Sequence, residues 1–252
     1  MNKINSLRSI RNRLASNKPS IGGWMQIPHI AIAEIFGNSS FDWVAIDMEH
    51  GSISSNQLPE LFLALEKGNT LPLVRLIEGT NVECKKALEA GAGGVIIPMI
   101  KTADQLMTII NLCRWPPKGI RGVGFSRANL YGENFEEYKE ESQNPLIIAM
   151  IEHVNAIENL EDILSVDGLD AILIGPYDLS ASMRITGEFQ NPIFISTMEL
   201  ILKKAKKKNI SAGIHIIEPN RDELEFRINQ GFNFLPYSID SVMLRNLSNV
   251  SI

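Results

Sequence analysis

Asp170-Ala171-Ile172-Leu173-Ile174-Gly175 is apolar without a break between its bounding residues, and Gly94-Val95-Ile96-Ile97-Pro98-Met99 reads the same way. A strand with one face in water alternates polar and apolar residues, whereas unbroken runs suit a parallel sheet covered on its outer face by helices. Short apolar runs bounded by turn residues occur at roughly 20–26, 43–48, 71–76, 94–99, 146–151, 171–175, 211–217 and 232–238, which predicts eight strands. Between them, stretches such as Gln57 to Lys67, Val82 to Ala90, Ala103 to Cys113, Ala156 to Leu164, Ile193 to Lys208 and Arg221 to Gln230 carry apolar residues three and four apart, as amphipathic helices do. Eight alternating βα units in 252 residues predict an α/β protein, a single-domain (β/α)8 TIM barrel over residues 1–252. An open doubly wound sheet is the competing reading of the same local patterns.

Composition removes several classes of function. The chain is 44% hydrophobic and 21% charged, that of an ordinary globular protein, and no run reaches the roughly 20 apolar residues of a membrane span. A formal charge of −5 argues against nucleic-acid binding, which draws on Lys and Arg at phosphates. Cys84 and Cys113 lack a C-x-x-C pattern and read as reduced core thiols. The start, Met1-Asn2-Lys3-Ile4-Asn5, has no following apolar segment of the kind secretion requires, so cytoplasm is the expected location.

One connection breaks the βα rhythm. Arg114 to Asn134 is rich in Pro and Gly, and connections this long in compact domains are usually functional or linking. It follows the fourth helix, so a barrel would place its start opposite the active face; to serve a site it must climb or reach a neighbouring subunit. A linker between two half-domains is the alternative.

Four predicted strands end in chemically capable residues: Asp47-Met48-Glu49-His50, Val74-Arg75, Ile151-Glu152 and Gly175-Pro176-Tyr177-Asp178. A (β/α)8 barrel opens all its strand C-termini onto one face. Glu152 and Asp178, on neighbouring strands, make a natural oxygen-ligand pair for Mg²⁺, Mn²⁺ or Co²⁺; each alone could equally favour a helix N-terminus. His50 can exchange a proton near neutral pH, and Arg75 stays cationic and can hold a carboxylate or a developing enolate oxygen. Asp47 and Glu49 either order water and orient His50 or are plain loop acids. No predicted strand contains Lys, with Lys101 the nearest, which disfavours Schiff-base chemistry. The segments after strands seven and eight are not the glycine-rich phosphate loops of many barrels. His153 reads as a cap or outward-facing residue, His29 as a pocket-lining candidate for which a structural role is the stronger reading, His215 as pocket or core, and Lys203 to Lys208 as a solvated helix end.

Phe41 to Gly51, Pro72-Leu73-Val74-Arg75, Val95 to Met99, Arg121-Gly122-Val123-Gly124, Ile151-Glu152 and Ile174 to Ser180 together resemble the metal-dependent class II pyruvate aldolases, the group of 4-hydroxy-2-oxoheptanedioate and 2-dehydro-3-deoxyglucarate aldolases. The resemblance implies a (β/α)8 barrel in a hexamer, or another homo-oligomer such as a trimer, that exchanges its last helix between subunits. It implies Glu152 and Asp178 as ligands of a divalent metal, His50 with a water as proton-transferring base, and Arg75 on the keto oxygen. Pyruvate would be met at Gly175, Pro176 and the backbone near Tyr177 and Asp178.

Three positions depart from the family's pattern. Met150 stands where members often have Gln, Glu89 where an Asp raises the basicity of the catalytic His, and Tyr177 where some have Ala. Pocket walls that choose the aldehyde are expected to include Ser126, Arg127 and residues of a neighbouring subunit. The expected partners are a 2-oxo acid and an aldehyde, with no nucleic acid and no membrane. An acyl-CoA lyase, an oxaloacetate decarboxylase, or a binding protein without turnover are the alternatives.

Overall fold

A computed structural model describes residues 2–249. Eight strands, β1 (Ser20–Met25), β2 (Trp43–Asp47), β3 (Leu71–Arg75), β4 (Gly94–Ile97), β5 (Leu146–Ile151), β6 (Ala171–Ile174), β7 (Ser211–Ile214) and β8 (Phe234–Pro236), pair in sequence order. All pairs are parallel, and β8 returns to β1 through Ser20↔Phe234 and Gly22↔Pro236, so the sheet is a closed barrel rather than an open doubly wound one. Helix α1 (Lys3–Ala15) precedes the first strand. The others are α2 (Ile30–Gly37), α3 (Leu58–Lys67), α4 (Asn81–Ala90), α5 (Ala103–Cys113), α6 (Phe135–Ser142), α7 (Val154–Glu158), α8 (Leu160–Ile163), α9 (Pro176–Ser182), α10 (Pro192–Lys207), α11 (Arg221–Gln230) and α12 (Asp240–Ser248).

The unbroken apolar strands divide their side chains between two layers. Trp24, Trp43, Leu71, Leu73, Ile148, Leu173 and Phe234 fill the barrel, with Trp43 stacked on Phe234 at 4.4 Å. A Cβ at Gly22 would enter the Trp43 ring, so that position has to be glycine. Val44, Ile46, Val74, Val95, Ile147 and Ile172 face outward into the helical layer. Leu7, Ile10 and Leu14 of α1 pack with the barrel-filling group. Local signals set helix ends as physics requires: Thr80 and Glu83 form a reciprocal capping box at α4, and Gly91 ends it at φ +108°.

The 114–134 connection is compact. Asn129 is fully buried; its carboxamide oxygen accepts the N–H groups of Ser126 and Gly132 (2.9 and 3.1 Å), and its amide donates to Gly124 O (2.8 Å). Residues Arg127–Gly132 coil into a short 3-10 turn that sequence composition does not announce. Gly94 pairs with Leu146 across this connection, so it is no linker between half-domains. It stays at the face opposite the strand C-termini, where Arg127 donates to Ala90 O at the end of α4 and to Glu66 (both 2.7 Å). No helix among the described residues is long and apolar enough to cross a membrane.

Candidate active site

The strand C-termini converge on one mouth, and its most ordered feature is a charge cluster on β2 and β3. Asp47 and Arg75 are register partners, both buried. Arg75 donates from Nε to Asp47 Oδ1 (2.9 Å) and from Nη2 to Oδ2 (2.6 Å), a two-point pairing that fixes the guanidinium plane. Asp47 also accepts the Trp24 indole N–H (3.1 Å), the Gln26 amide (3.0 Å) and the backbone N–H groups of Glu49 and His50 (3.0 and 3.1 Å). Burial alone would push the Asp47 carboxyl up, but the Arg75 bonds and charge, with Gln26 and the His50 N–H, outweigh it and bring the group to about 2. The Asp47 anion therefore does two jobs at once: it aims Arg75 and it shapes the turn that carries His50.

Arg75 Nη1 lies 2.9 Å from Glu49 Oε2, close enough for an ion pair yet without hydrogen-bond alignment, so this buried oxygen keeps unused acceptor capacity. Two of the five guanidinium N–H groups are thus committed to Asp47, and the other three stay available. Burial pushes Glu49 up, Arg75 and His50 oppose this, and Asp47 and Asp178 add to it.

Glu152 and Asp178 follow the last rung of β5 and β6, where Ile151 pairs with Ile174. Glu152 is buried, and its Oε1 accepts the Met99 N–H at 2.6 Å. Its Oε2 runs along Gly175, where an added Cβ would sit 2.5 Å from it. Burial raises the Glu152 carboxyl to about 7; the Met99 N–H and Arg75 oppose, while Glu49 and Asp178 push it further up. Asp178 is exposed in the first turn of α9. Glu49 and Asp178 both press on Glu152, and Glu49 keeps one buried oxygen without a hydrogen-bond partner, so the carboxylates form a donor set with too little positive charge of its own.

That donor set fits a divalent cation. Among the described residues no three His, Cys, Asp or Glu side chains are arranged to hold a metal by themselves. Mg²⁺ does not require them, since it is commonly held by one or two carboxylates with substrate and water completing the octahedron.

The structure brings Asp47, Glu49, His50, Arg75, Glu152, Gly175, Pro176, Tyr177 and Asp178 to the mouth, at strand C-termini, in the loops that follow or in the first turn of α9. His50 is exposed, held through its backbone N–H. Met150 is buried inside the barrel with its methyl 3.4 Å from the Cβ position at Gly175, an apolar wall. Tyr177 is exposed and packs edge-on against Phe189 (5.0 Å). Two expected residues are elsewhere. Glu89 lies near the C-terminal end of α4, 3.8 Å from Lys85, and Arg127 is held at Ala90 and Glu66; both are at the opposite face of their own barrel. His29 and His153 cap α2 and α7 through Nδ1.

Sequence reading passed over Trp24 and Gln26. Both lie at the end of β1, and that position was the only signal, since neither carries charge. Trp24 is a spacer between Arg75, whose guanidinium carbon lies 5.2 Å from the indole centroid, and His215, whose ring lies 4.6 Å away. His215 bonds Ser238 O (3.2 Å), and burial lowers it to about 4, so it is a neutral imidazole near pH 7. Gln26 is oriented by Ser241 Oγ, and its own N–H bonds Asp240 at the start of α12.

A (β/α)8 barrel whose mouth gathers an aimed guanidinium, an accessible imidazole and paired carboxylates is an enzyme built for oxo-acid chemistry. The chain belongs to the HpcH/HpaI aldolase/citrate lyase family, which it matches over residues 20–246. It is 31% identical over 242 residues to the hydroxypyruvate/pyruvate aldolase of Roseobacter denitrificans, covering 95% of this chain and 94% of that one. It is also 31% identical over 236 residues to 2-keto-3-deoxy-L-rhamnonate aldolase of Escherichia coli O157:H7, covering 92% and 87%. The crystal structure of a family member from Burkholderia cenocepacia J2315 superposes with a TM-score of 0.89 at 26% identity, covering 95% of this chain and 96% of that one. By class the protein is an aldolase, a carbon–carbon lyase.

Proposed function

We propose that the protein cleaves a 4-hydroxy-2-oxo acid to pyruvate and an aldehyde, and runs the reverse addition, with a divalent cation held by Glu152 and Asp178. The observation that carries this reading is the single barrel mouth in which Arg75, clamped on Asp47, faces the same space as the mutually repelling carboxylates. The cation would supply Lewis-acid polarisation of the 2-oxo acid. The chain's own groups divide the remaining work. The N–H groups of Tyr177 and Asp178 precede the first intrahelical bond of α9, from Leu179 N–H to Gly175 O (2.9 Å), and are placed to take the substrate carboxylate. His50, through a water, accepts the C4 hydroxyl proton. As the C4 oxygen becomes the aldehyde carbonyl, the C3–C4 bonding pair passes into the C2–C3 bond and the oxo oxygen gains charge. The free N–H groups of Arg75 stabilise that charge, and protonation at C3 releases pyruvate. Buried Met150 and Trp24 give the barrel interior beneath the mouth an apolar lining.

Assembly into a homo-oligomer fits the exposed apolar side chains outside the mouth. Phe125 and Tyr131 are each 74% exposed in the long connection and Leu247 is 81% exposed on α12. The same assembly gives Glu89, Arg127 and the 114–134 connection a way to serve a neighbour's site. The test is metal-dependent pyruvate release from 4-hydroxy-2-oxo acids by wild type and His50→Ala, with the fold checked by circular dichroism. Loss in the variant supports the assignment; release equal to wild type removes His50 from it, and release from oxaloacetate alone replaces the aldolase with a decarboxylase.

A further inference from the structure

Met99 adopts φ +52°, a left-handed conformation that is strained for a non-glycine L-residue, and its side chain is too exposed to hold it there. Strained backbone of this kind persists where the surroundings over-determine it and concentrates at functional sites. Glu152 and polar groups beyond the metal pair supply the determination. The Met99 N–H is committed to Glu152 Oε1 (2.6 Å), and its carbonyl accepts the Gln105 amide (3.3 Å). Two residues on, the Lys101 N–H donates to Gln105 Oε1 (2.8 Å), and the Lys101 carbonyl accepts from Asn159 Nδ2 (3.1 Å). Both ends of the Gln105 amide, projecting from the first turn of α5, therefore bracket the Met99–Lys101 turn, and Asn159 closes it from the α7–α8 junction. Across the carboxylate, the bare Cα of Gly175 leaves room for Oε2 and nothing larger.

We propose that the Met99–Lys101 turn is a positioning device for the metal ligand, with Gln105 as its positioning residue: it ties one oxygen of Glu152 so that the other is presented to the cation in a single orientation. This rests on the reading of Glu152 as a ligand. Fixing a ligand before the ion arrives removes rotamer freedom that binding would otherwise have to freeze. Outer partners of this kind typically contribute 10- to 100-fold in metal affinity.

The experiment is titration of the full-length protein with Mn²⁺ alone, followed by electron paramagnetic resonance, with melting temperature of the metal-free protein in parallel. Gln105→Ala should weaken Mn²⁺ binding about 10- to 100-fold while the metal-free melting temperature stays near wild type, and Met99→Val, which places a β-branched residue at positive φ, should weaken binding likewise and also lower the melting temperature. Met99→Gly keeps the N–H and accepts the backbone angle, so it should bind Mn²⁺ more tightly than Met99→Val. Glu152→Gln should lose the site. If Glu152→Gln loses Mn²⁺ while Gln105→Ala and Met99→Val bind it as wild type does, the positioning role is overturned and the ligand stands. If Glu152→Gln binds as wild type does, the ligand assignment falls and the inference with it. Should Met99→Val fail to fold, Gln105→Ala decides alone.

Discussion

Glu152 and Glu141 sit at opposite ends of the barrel, the first after β5 at the open mouth and the second on α6 before it, and burial raises both to about 7. Their surroundings differ in sign. Beyond burial, Glu152 is pushed up by Glu49 and Asp178, and the opposing Arg75 is already committed to Asp47. Glu141 is opposed by Lys3, 3.9 Å away, and by Arg121, with only Glu66 pushing with burial. A raised carboxyl is therefore no functional signature by itself; the charge that faces it decides whether the site still calls for a cation. At the mouth the call is unanswered by protein groups, whereas at the base Lys3, Glu66 and Arg127 form a network that ties α1, α3 and the long connection together.

The largest expected effect breaks this comparison most directly. Glu152→Gln should lower carbon–carbon cleavage by about 10⁴, the several kcal/mol that Lewis-acid assistance supplies, while Glu141→Gln leaves the rate as it was. Steady-state pyruvate release under saturating Mg²⁺ measures both, and equal losses would mean that surroundings do not distinguish the two groups.

Asp47→Ala should cost about 3–5 kcal/mol of stability in urea denaturation at pH 7, because it leaves buried Arg75 with Glu49 as its only anionic partner. The sign with pH follows from the lowered carboxyl: in wild type the Asp47 contribution is complete above its ordinary value of 3.8 and is lost as pH falls through about 2. The variant should therefore be separated from wild type at neutral pH and converge with it in strong acid. A gap that persists below pH 2 would assign the loss to packing instead of charge.

Ligand linkage sharpens the same contrast at lower magnitude. Mg²⁺ at 100 times its dissociation constant should stabilise wild type and Glu141→Gln alike, by about 2.7 kcal/mol, and leave Glu152→Gln unmoved. Thermal melts with and without the ion are sufficient. Stabilisation of Glu152→Gln would place the cation elsewhere.

What the sequence disclosed follows from what carries a signature. Unbroken apolar runs located all eight strands to within a few residues, because a strand covered on both faces has no polar alternation to blur it. Asp47, Arg75, Glu152 and Asp178 stood out as charges at the ends of such runs, which barrel geometry then gathers at one mouth. Trp24, Gln26 and Gln105 did not, since neutral residues look like structure until their partners are seen. The Met99 N–H has no sequence signature at all, because every residue but proline offers one. Glu89 was expected at the site by resemblance and Arg127 in the pocket wall, yet within one chain Lys85, Glu66 and the end of α4 engage them at the far face. The contacts of Arg127 join residues distant in sequence, which spacing along the chain does not encode.

The smallest effect concerns the base of the barrel and isolates its charge balance. The Glu141 carboxyl is raised in the folded protein, so stability from its neutral form is complete below the ordinary value of 4.5 and is lost as pH rises through about 7. Glu141→Gln mimics the neutral form at every pH. The variant should thus match wild type near pH 4.5, gain on it across the interval to pH 7, and hold a constant advantage of order 1 kcal/mol above, after relaxation and the lost Lys3 contact are discounted. Melting temperatures from pH 4.5 to 8.5 would trace this curve. An advantage falling with pH would mean that Lys3 and Arg121 outweigh burial, so that the ionised carboxylate is the stabilising form and the base of the barrel is held by ion pairing of the kind that α6 brings to α1.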